Sequence, residues 1–390
     1  MSATKRLPGV DGLRALAAMW VVLFHMSAFS GEFFHGVPGL DVFLRSGSTG
    51  VSLFLVLSGF CLFLPFAGGR LHRFKAGEFF RRRCKRLMPA YYVALGLALA
   101  LAVVTAGKWG LPSLSLGDTI FQLVTHLALI HTLFPTTFYS LNGAFWSLGL
   151  EWQLYLALPL LIVLTRRFGL PNAVALAVAV NVIYRLALGL IIDAGLIDSN
   201  SLIAISVLPN QLPGRWAEFA FGMVAADLYA SGRLERWARF VPGMLLAIVI
   251  LIPTSLVASQ FQLGHIVYGS LFFTLLCVVL VSNNPVARIL GWRPLVALGT
   301  MSYSLYLVHQ PAIQLVATWL QLNRPDLSPS MVFYALVAMF PLVLLIAWVL
   351  FVTVERRTMG PNATDALLPP RFRPAWFASS RAPQPVGEQA

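Results

Sequence analysis

Leu87-Met88-Pro89-Ala90-Tyr91-Tyr92-Val93-Ala94-Leu95-Gly96-Leu97-Ala98-Leu99-Ala100-Leu101-Ala102-Val103-Val104-Thr105-Ala106-Gly107 carries no charge and follows directly on Arg81-Arg82-Arg83-Cys84-Lys85-Arg86. A helix of that length rises about 30 Å, the thickness of a bilayer's hydrocarbon core, and satisfies its own backbone there. The rest of the chain has the same character. Of 390 residues, 58% are hydrophobic and 11% charged, and the mean hydropathy is +0.77. Such a composition excludes a soluble globule, a disordered chain and a collagen-like one. Three cysteines, Cys61, Cys84 and Cys277, are an odd number without metal-ligand spacing, so neither a disulfide framework nor a metal site is expected.

The formal net charge of +13 would suggest nucleic acid in a soluble protein. Here the basic residues sit at the ends of apolar runs, the pattern that orients membrane helices and meets lipid headgroups, so lipids and not nucleic acid are the expected partners. The first run lacks a small-residue cleavage site and is followed by many more, so it is expected to remain in the mature protein.

Runs long enough to cross lie near 11–30, 47–67, 87–107, 147–165, 172–192, 215–231, 241–259, 265–283, 295–320 and 331–354. The expected fold is therefore all-α: a polytopic integral membrane helix bundle of about ten transmembrane helices. The apolar stretch at 119–134 is short and ends in Phe134-Pro135, which marks it as a re-entrant candidate. If it does not cross, loops of one parity collect Lys5, Arg6, the run from Arg70 to Arg86, Arg166, Arg167, Arg233, Arg236, Arg239, Arg288 and Arg293. The other parity holds only Arg45, Lys108, Arg215 and Arg324. That bias places both termini in the cytoplasm. Residues 1–360 read as one transmembrane domain without an internal repeat, and the Pro-rich 361–390 as a flexible cytoplasmic tail.

Polar groups within such runs mark candidate sites, since lipid makes them costly. Arg14 and His25 are eleven residues apart, about three turns and roughly 16 Å, so they share a face at different depths. Snorkelling of Arg14 and a local carbonyl partner for His25 are the structural readings. Asp11 reads as an N-cap and a local partner for Arg14. Arg83 and Arg86, at i and i+3, project two guanidiniums from one face, which suits paired phosphates as well as topogenesis. Ser147, Glu151 and Tyr155 stack at spacing four. Glu151 shares the expected depth of His25, and a carboxylate reaching an imidazole would fix its tautomer and raise its basicity. The competing reading is a structural ion pair between Glu151 and Arg185. The small residues from Gly50 to Gly59 read as a packing face. In Met301-Ser302-Tyr303-Ser304-Leu305-Tyr306-Leu307-Val308-His309-Gln310-Pro311, His309 reads equally as a site residue and as a satisfied interior histidine. His126 and His131 receive no role.

These residues, read together, resemble the integral-membrane acyltransferase family 3, bacterial O-acyltransferases of surface polysaccharides and related acceptors. The resemblance rests on Val10-Asp11-Gly12-Leu13-Arg14-Ala15 through His25, Gly50-Val51 through Ser58-Gly59-Phe60, and Arg83-Cys84-Lys85-Arg86-Leu87-Met88-Pro89. It continues through Trp146-Ser147 to Glu151, Arg215 to Glu218-Phe219 and Gly222, Tyr303 to His309, and Val354-Glu355-Arg356. The motifs keep family order over nearly the whole chain. Arg357 stands where the family usually has proline, and Ala15 where glycine is commoner.

What the resemblance implies is an acyl-CoA donor, most simply acetyl-CoA, taken from the cytoplasm, with Arg14, Arg83 and Arg86 holding it and His25 as the essential base. The expected activity is O-acyl transfer to a hydroxyl of a glycan, glycolipid or glycan precursor, such as an exopolysaccharide, at the bacterial inner membrane. Glu151 would orient His25, Ser147, Tyr155, Tyr303 and His309 would contact substrate, and no metal is involved. Some members carry a further soluble domain, so acceptor handling is expected here within the membrane part and its outer loops. The rival reading is a transporter or flippase for a lipid-linked sugar, whose passage the same polar residues would line. No oligomeric state can be read from the sequence.

Overall fold

The computed structural model describes residues 7–31, 39–105, 115–260, 262–281 and 284–359. The tail expected at 361–390 lies outside the described residues. Those described form helices without a strand: α1 Pro8–Ser30, α2 Leu40–Ser46, α3 Gly50–Phe63, α4 Ala76–Thr105, α5 Leu116–Leu127, α6 Trp146–Phe168, α7 Leu170–Asp193 and α8 Leu212–Ala230. They continue with α9 Val241–Gln260, α10 Gly264–Leu280, α11 Pro285–Leu290, α12 Arg293–Thr300, α13 Ser302–Asn323, α14 Pro329–Ala338 and α15 Phe340–Thr353.

Each apolar run read from the sequence folds as helix over most of its length, but among the described residues length and composition qualify five segments as crossing a membrane. These are Pro8–Ser30, Leu40–Phe63, Ala76–Thr105, Gly143–Phe168 and Leu170–Asp193; α14 and α15, bent by 42°, add a sixth if they form one span. The expected count of about ten is not reached on this measure, for visible reasons. Helix α10 has 17 residues, and α8 carries Arg215, Glu218 and Asp227.

Helix α1 is central, packing against α3, α10, α12, α13 and α14. The crossing of α3 with α8 is as close as backbones allow. A Cβ on Gly59 would stand 2.0 Å from Phe219 O, and one on Gly222 2.0 Å from Val56 O, so the small residues of α3 are a packing face. Beside this crossing Arg215 binds both oxygens of Glu218 at 2.5 and 3.1 Å and donates to Asn210 and Ser52. The pair is buried and fully hydrogen-bonded, the condition under which buried charge is tolerated. Arg185, 2% exposed, donates to Gly214 O and Pro209 O. It fastens the entry of α8 and does not pair with Glu151.

Helix α5 spans 12 residues, about 18 Å and too short to cross a bilayer. It turns Leu116, Ile120, Phe121, Val124 and Leu127 outward and buries Gln122, Thr125 and His126. Its far end meets the middle of α4, where Tyr91 and Tyr92 donate to His126 O and Leu127 O. The chain then reverses at Leu129, whose φ is 58°. His126 and His131 stack there, rings 4.1 Å apart, and His131 Nε2 donates to Phe145 O ahead of α6.

Candidate functional site

A cavity of about 480 Å³ opens among α1, α3, α4, α6 and the α12–α13 junction. That size suits a small-molecule ligand. Its wall includes Arg14, Arg83, Arg86, Ser147, Glu151, Tyr155 and Tyr303, so seven residues singled out in the sequence are brought together. The i, i+3 and i, i+4 spacings explain why each helix delivers its residues on one side.

The arginines come from two helices. Arg14 Nη2 lies 3.5 Å from Cys61 Sγ, and Asp11 and Glu151 are its electrostatic neighbours. Asp11 is not the N-cap; Leu7 takes that position, Pro8 opens the helix, and Asp11 lies in its first turn. Arg83 packs over the Phe79 ring, and its Nε is buried without a hydrogen-bond partner among the described residues. Arg86 is held beside it by the closing segment, where Thr358 donates to Arg86 O at 3.2 Å. Glu355 accepts from Ser304 N at 3.2 Å and Ser304 Oγ at 2.5 Å, anchoring that segment on α13.

Glu151 takes partners other than those expected. Its Oε1 accepts from Ser58 Oγ at 2.7 Å and Tyr155 OH at 2.5 Å. The contact expected between Glu151 and His25 is not among the described hydrogen bonds. The turn leading into α6 fixes this: Phe145 packs on Tyr91 and Asn142 donates to Leu307 O, and residue 151 then faces the arginine-lined cavity. Tyr303 lines the same cavity and donates to Leu87 O at 3.1 Å, tying α13 to α4.

His25 stands outside the cavity wall, next to His309. His25 Nδ1 is 2.8 Å from Val21 O and His309 Nδ1 is 2.9 Å from Tyr306 O. A carbonyl only accepts, so both Nδ1 atoms carry hydrogen. His309 Nε2, 3.3 Å from His25 Nδ1, is then a second acceptor for the same hydrogen, and the basic lone pair of His25 is at Nε2. His309 is fully buried and His25 part-exposed, and neither lines the cavity.

Between the histidines and the cavity stands Tyr306, which sequence reasoning passed over. It lines the cavity, its ring lies 5.4 Å from that of His309, and its hydroxyl is 2.6 Å from Ser147 Oγ. Ser58 and Cys61 were also missed. Ser58 entered only as part of a resemblance motif, and the two residues directly flank the tightly packed Gly59-Phe60 of α3.

An arginine-lined cavity suits an anionic ligand, and a tautomerically fixed imidazole behind it suits proton abstraction. Long apolar helices carry both, as in a multi-pass membrane protein. A family model described as an acyltransferase domain matches residues 7–352, and the chain belongs to that family, the integral-membrane acyltransferase family 3. It is 26% identical over 352 residues to a peptidoglycan O-acetyltransferase OatA of Listeria monocytogenes, covering 83% of this chain and 52% of that protein. It is 25% identical over 353 residues to a putative peptidoglycan O-acetyltransferase YrhL of Bacillus subtilis, 82% of this chain and 50% of the other. An O-acetyltransferase OatA of Staphylococcus aureus is 27% identical over 345 residues, 82% of this chain and 52% of that one. The chain thus spans about half the length of these relatives. No solved structure matches it.

Proposed function

We propose that the protein is a membrane O-acyltransferase that moves an acyl group, most simply acetyl, from cytoplasmic acyl-CoA to a hydroxyl of a cell-wall or surface glycan, or its lipid-linked precursor. The observation that carries this reading is the convergence of Arg14, Arg83 and Arg86 on one cavity. Three guanidiniums suit the phosphates of CoA, and Glu151, whose Oε1 accepts from Ser58 and Tyr155, is a positioning group on that side. The names of the relatives favour peptidoglycan as the acceptor class.

The topology that fits this function has ten crossings, both termini in the cytoplasm, and residues 119–134 dipping in without crossing, in a bacterial inner membrane. Arg14 then lies near the inner face and His25 about 16 Å further out, a separation that an extended pantetheine arm spans. The nucleotide's charge never enters lipid. His25 Nε2 takes the proton of the acceptor hydroxyl as its oxygen attacks the thioester carbon; the carbon–sulfur bond breaks, and the proton passes on to the CoA thiolate. His309 holds the His25 tautomer. Purified protein incubated with labelled acetyl-CoA and peptidoglycan fragments tests the reading: ester-linked label on the glycan is expected, and label that stays on CoA contradicts it.

A further inference from the structure

Resting on the acyl-transfer reading, we propose that Tyr306 is a catalytic residue: its phenol gives up Ser147 and donates instead to the thioester carbonyl, steadying the oxyanion as the acyl group reaches His25. The residue's position sets it between the cavity and the histidine pair. Among the described residues its ring both lines the donor cavity and packs on His309, at 5.4 Å, while neither His309 nor His25 lines that cavity. Its hydroxyl, bonded to the lining residue Ser147, is thus a polar group on the side of the cavity that packs toward the histidines.

The hydrogen positions make the phenol a donor at rest. Ser147 Oγ is 3.2 Å from Ala144 O, which only accepts, so the serine hydrogen goes there. The bond of 2.6 Å between Ser147 Oγ and the Tyr306 oxygen is then made by the phenol hydrogen. Exchanging this acceptor for a carbonyl costs Ser147 nothing it needs, since its own hydrogen stays with Ala144 O. The ring is held meanwhile by an edge-on contact with Phe54, centroids 5.8 Å apart, and by His309. A preorganised donor of this kind strengthens its bond as negative charge develops on the oxygen.

In the step itself, the acceptor oxygen bonds to the carbonyl carbon, the carbonyl oxygen becomes an oxyanion bonded to the phenol hydrogen, and His25 Nε2 holds the acceptor's proton. Collapse re-forms the carbonyl, expels the CoA thiolate and returns the phenol hydrogen to Ser147; the proton on His25 completes the CoA thiol. No other reactant is consumed.

The test is Tyr306→Phe, which keeps the ring and removes the hydroxyl. With wild-type turnover of acetyl-CoA established, kcat is expected to fall about 100-fold, while equilibrium binding of a non-cleavable acetyl-CoA thioether stays unchanged. A variant with wild-type kcat overturns the inference and leaves the proposed function standing; a wild-type protein that never cleaves acetyl-CoA overturns both. Fluorotyrosines placed at position 306 keep the ring and hydroxyl, and decide the matter should the phenylalanine variant fail to fold. A rate that rises as the phenol becomes a stronger acid supports the role, and one rate for all of them refutes it.

Discussion

His309 Nε2 lies 3.3 Å from His25 Nδ1, and each ring gives its δ hydrogen to a carbonyl of its own helix, Tyr306 O and Val21 O. Two helices that meet nowhere in sequence thereby fix one tautomer. The bare nitrogen of His25 is Nε2, the one a base needs free of hydrogen.

His309→Leu removes the second acceptor but not the carbonyl, so the imidazole keeps its tautomer and loses orientation. One hydrogen bond of about 1 to 1.5 kcal/mol corresponds to roughly tenfold in rate. We expect kcat to fall by about that factor, and less for His309→Gln, which restores an acceptor. Initial rates at saturating acyl-CoA check this; a leucine variant as fast as wild type would make His309 a packing residue only.

For the cavity arginines, the double change Arg83→Lys and Arg86→Lys keeps charge and hence orientation, but loses the planar forks. Donor binding should weaken by about 1 to 3 kcal/mol, the range for charge-assisted hydrogen bonds, with acceptor affinity unchanged. Calorimetry with a non-cleavable acyl-CoA analogue measures the first directly. Unaltered donor binding in a correctly inserted variant would return the cluster to a topogenic role.

Removing the Glu151 carboxylate leaves the hydroxyls of Ser58 and Tyr155 without their acceptor. Glu151→Ala should cost about 1 to 3 kcal/mol of stability, seen as earlier thermal unfolding in detergent, and Glu151→Gln less, since its amide oxygen still accepts. Equal unfolding of all three proteins would show that the hydroxyls find other partners.

Much of this was legible in the sequence because membrane helices announce themselves and because helical spacing sorts side chains. Arg83 with Arg86, and Ser147 with Glu151 and Tyr155, each share one helix face by their spacing; that both sets line a single cavity was not read from the sequence. Pairings between helices were not legible. Depth arguments joined Glu151 to His25, yet the turn into α6 is held by Tyr91 and Leu307, and Glu151 meets Ser58 instead. Arg185 likewise looked like an ion-pair partner and instead binds carbonyls of the Pro209–Gly214 turn. Tyr306 lay in a run singled out for Tyr303 and His309, but spacing could not tell that it stands between the cavity and His309.

The crossing pattern has its own check. In a background lacking Cys61, Cys84 and Cys277, single cysteines at Ser115, Arg166 and Arg236 are exposed to a membrane-impermeant maleimide on intact cells. Ser115 should label from outside, whereas the other two should label only after lysis, as the arginine bias of the loops requires. Outside labelling at 166 would mean that the 119–134 segment crosses.

Transfer across the membrane from a cytoplasmic donor to an outer hydroxyl, with His25 as base, is tested most directly in sealed, uniformly oriented proteoliposomes. Labelled acetyl-CoA is supplied on the cytoplasmic side and peptidoglycan fragments on the other. Wild-type protein should place ester-linked label on the outer fragments, and His25→Ala, inserted equally well, should be slower by about 100- to 10,000-fold, the range for a lost general base. Transfer that needs donor and acceptor on the same side, or proceeds undiminished in His25→Ala, would contradict the account.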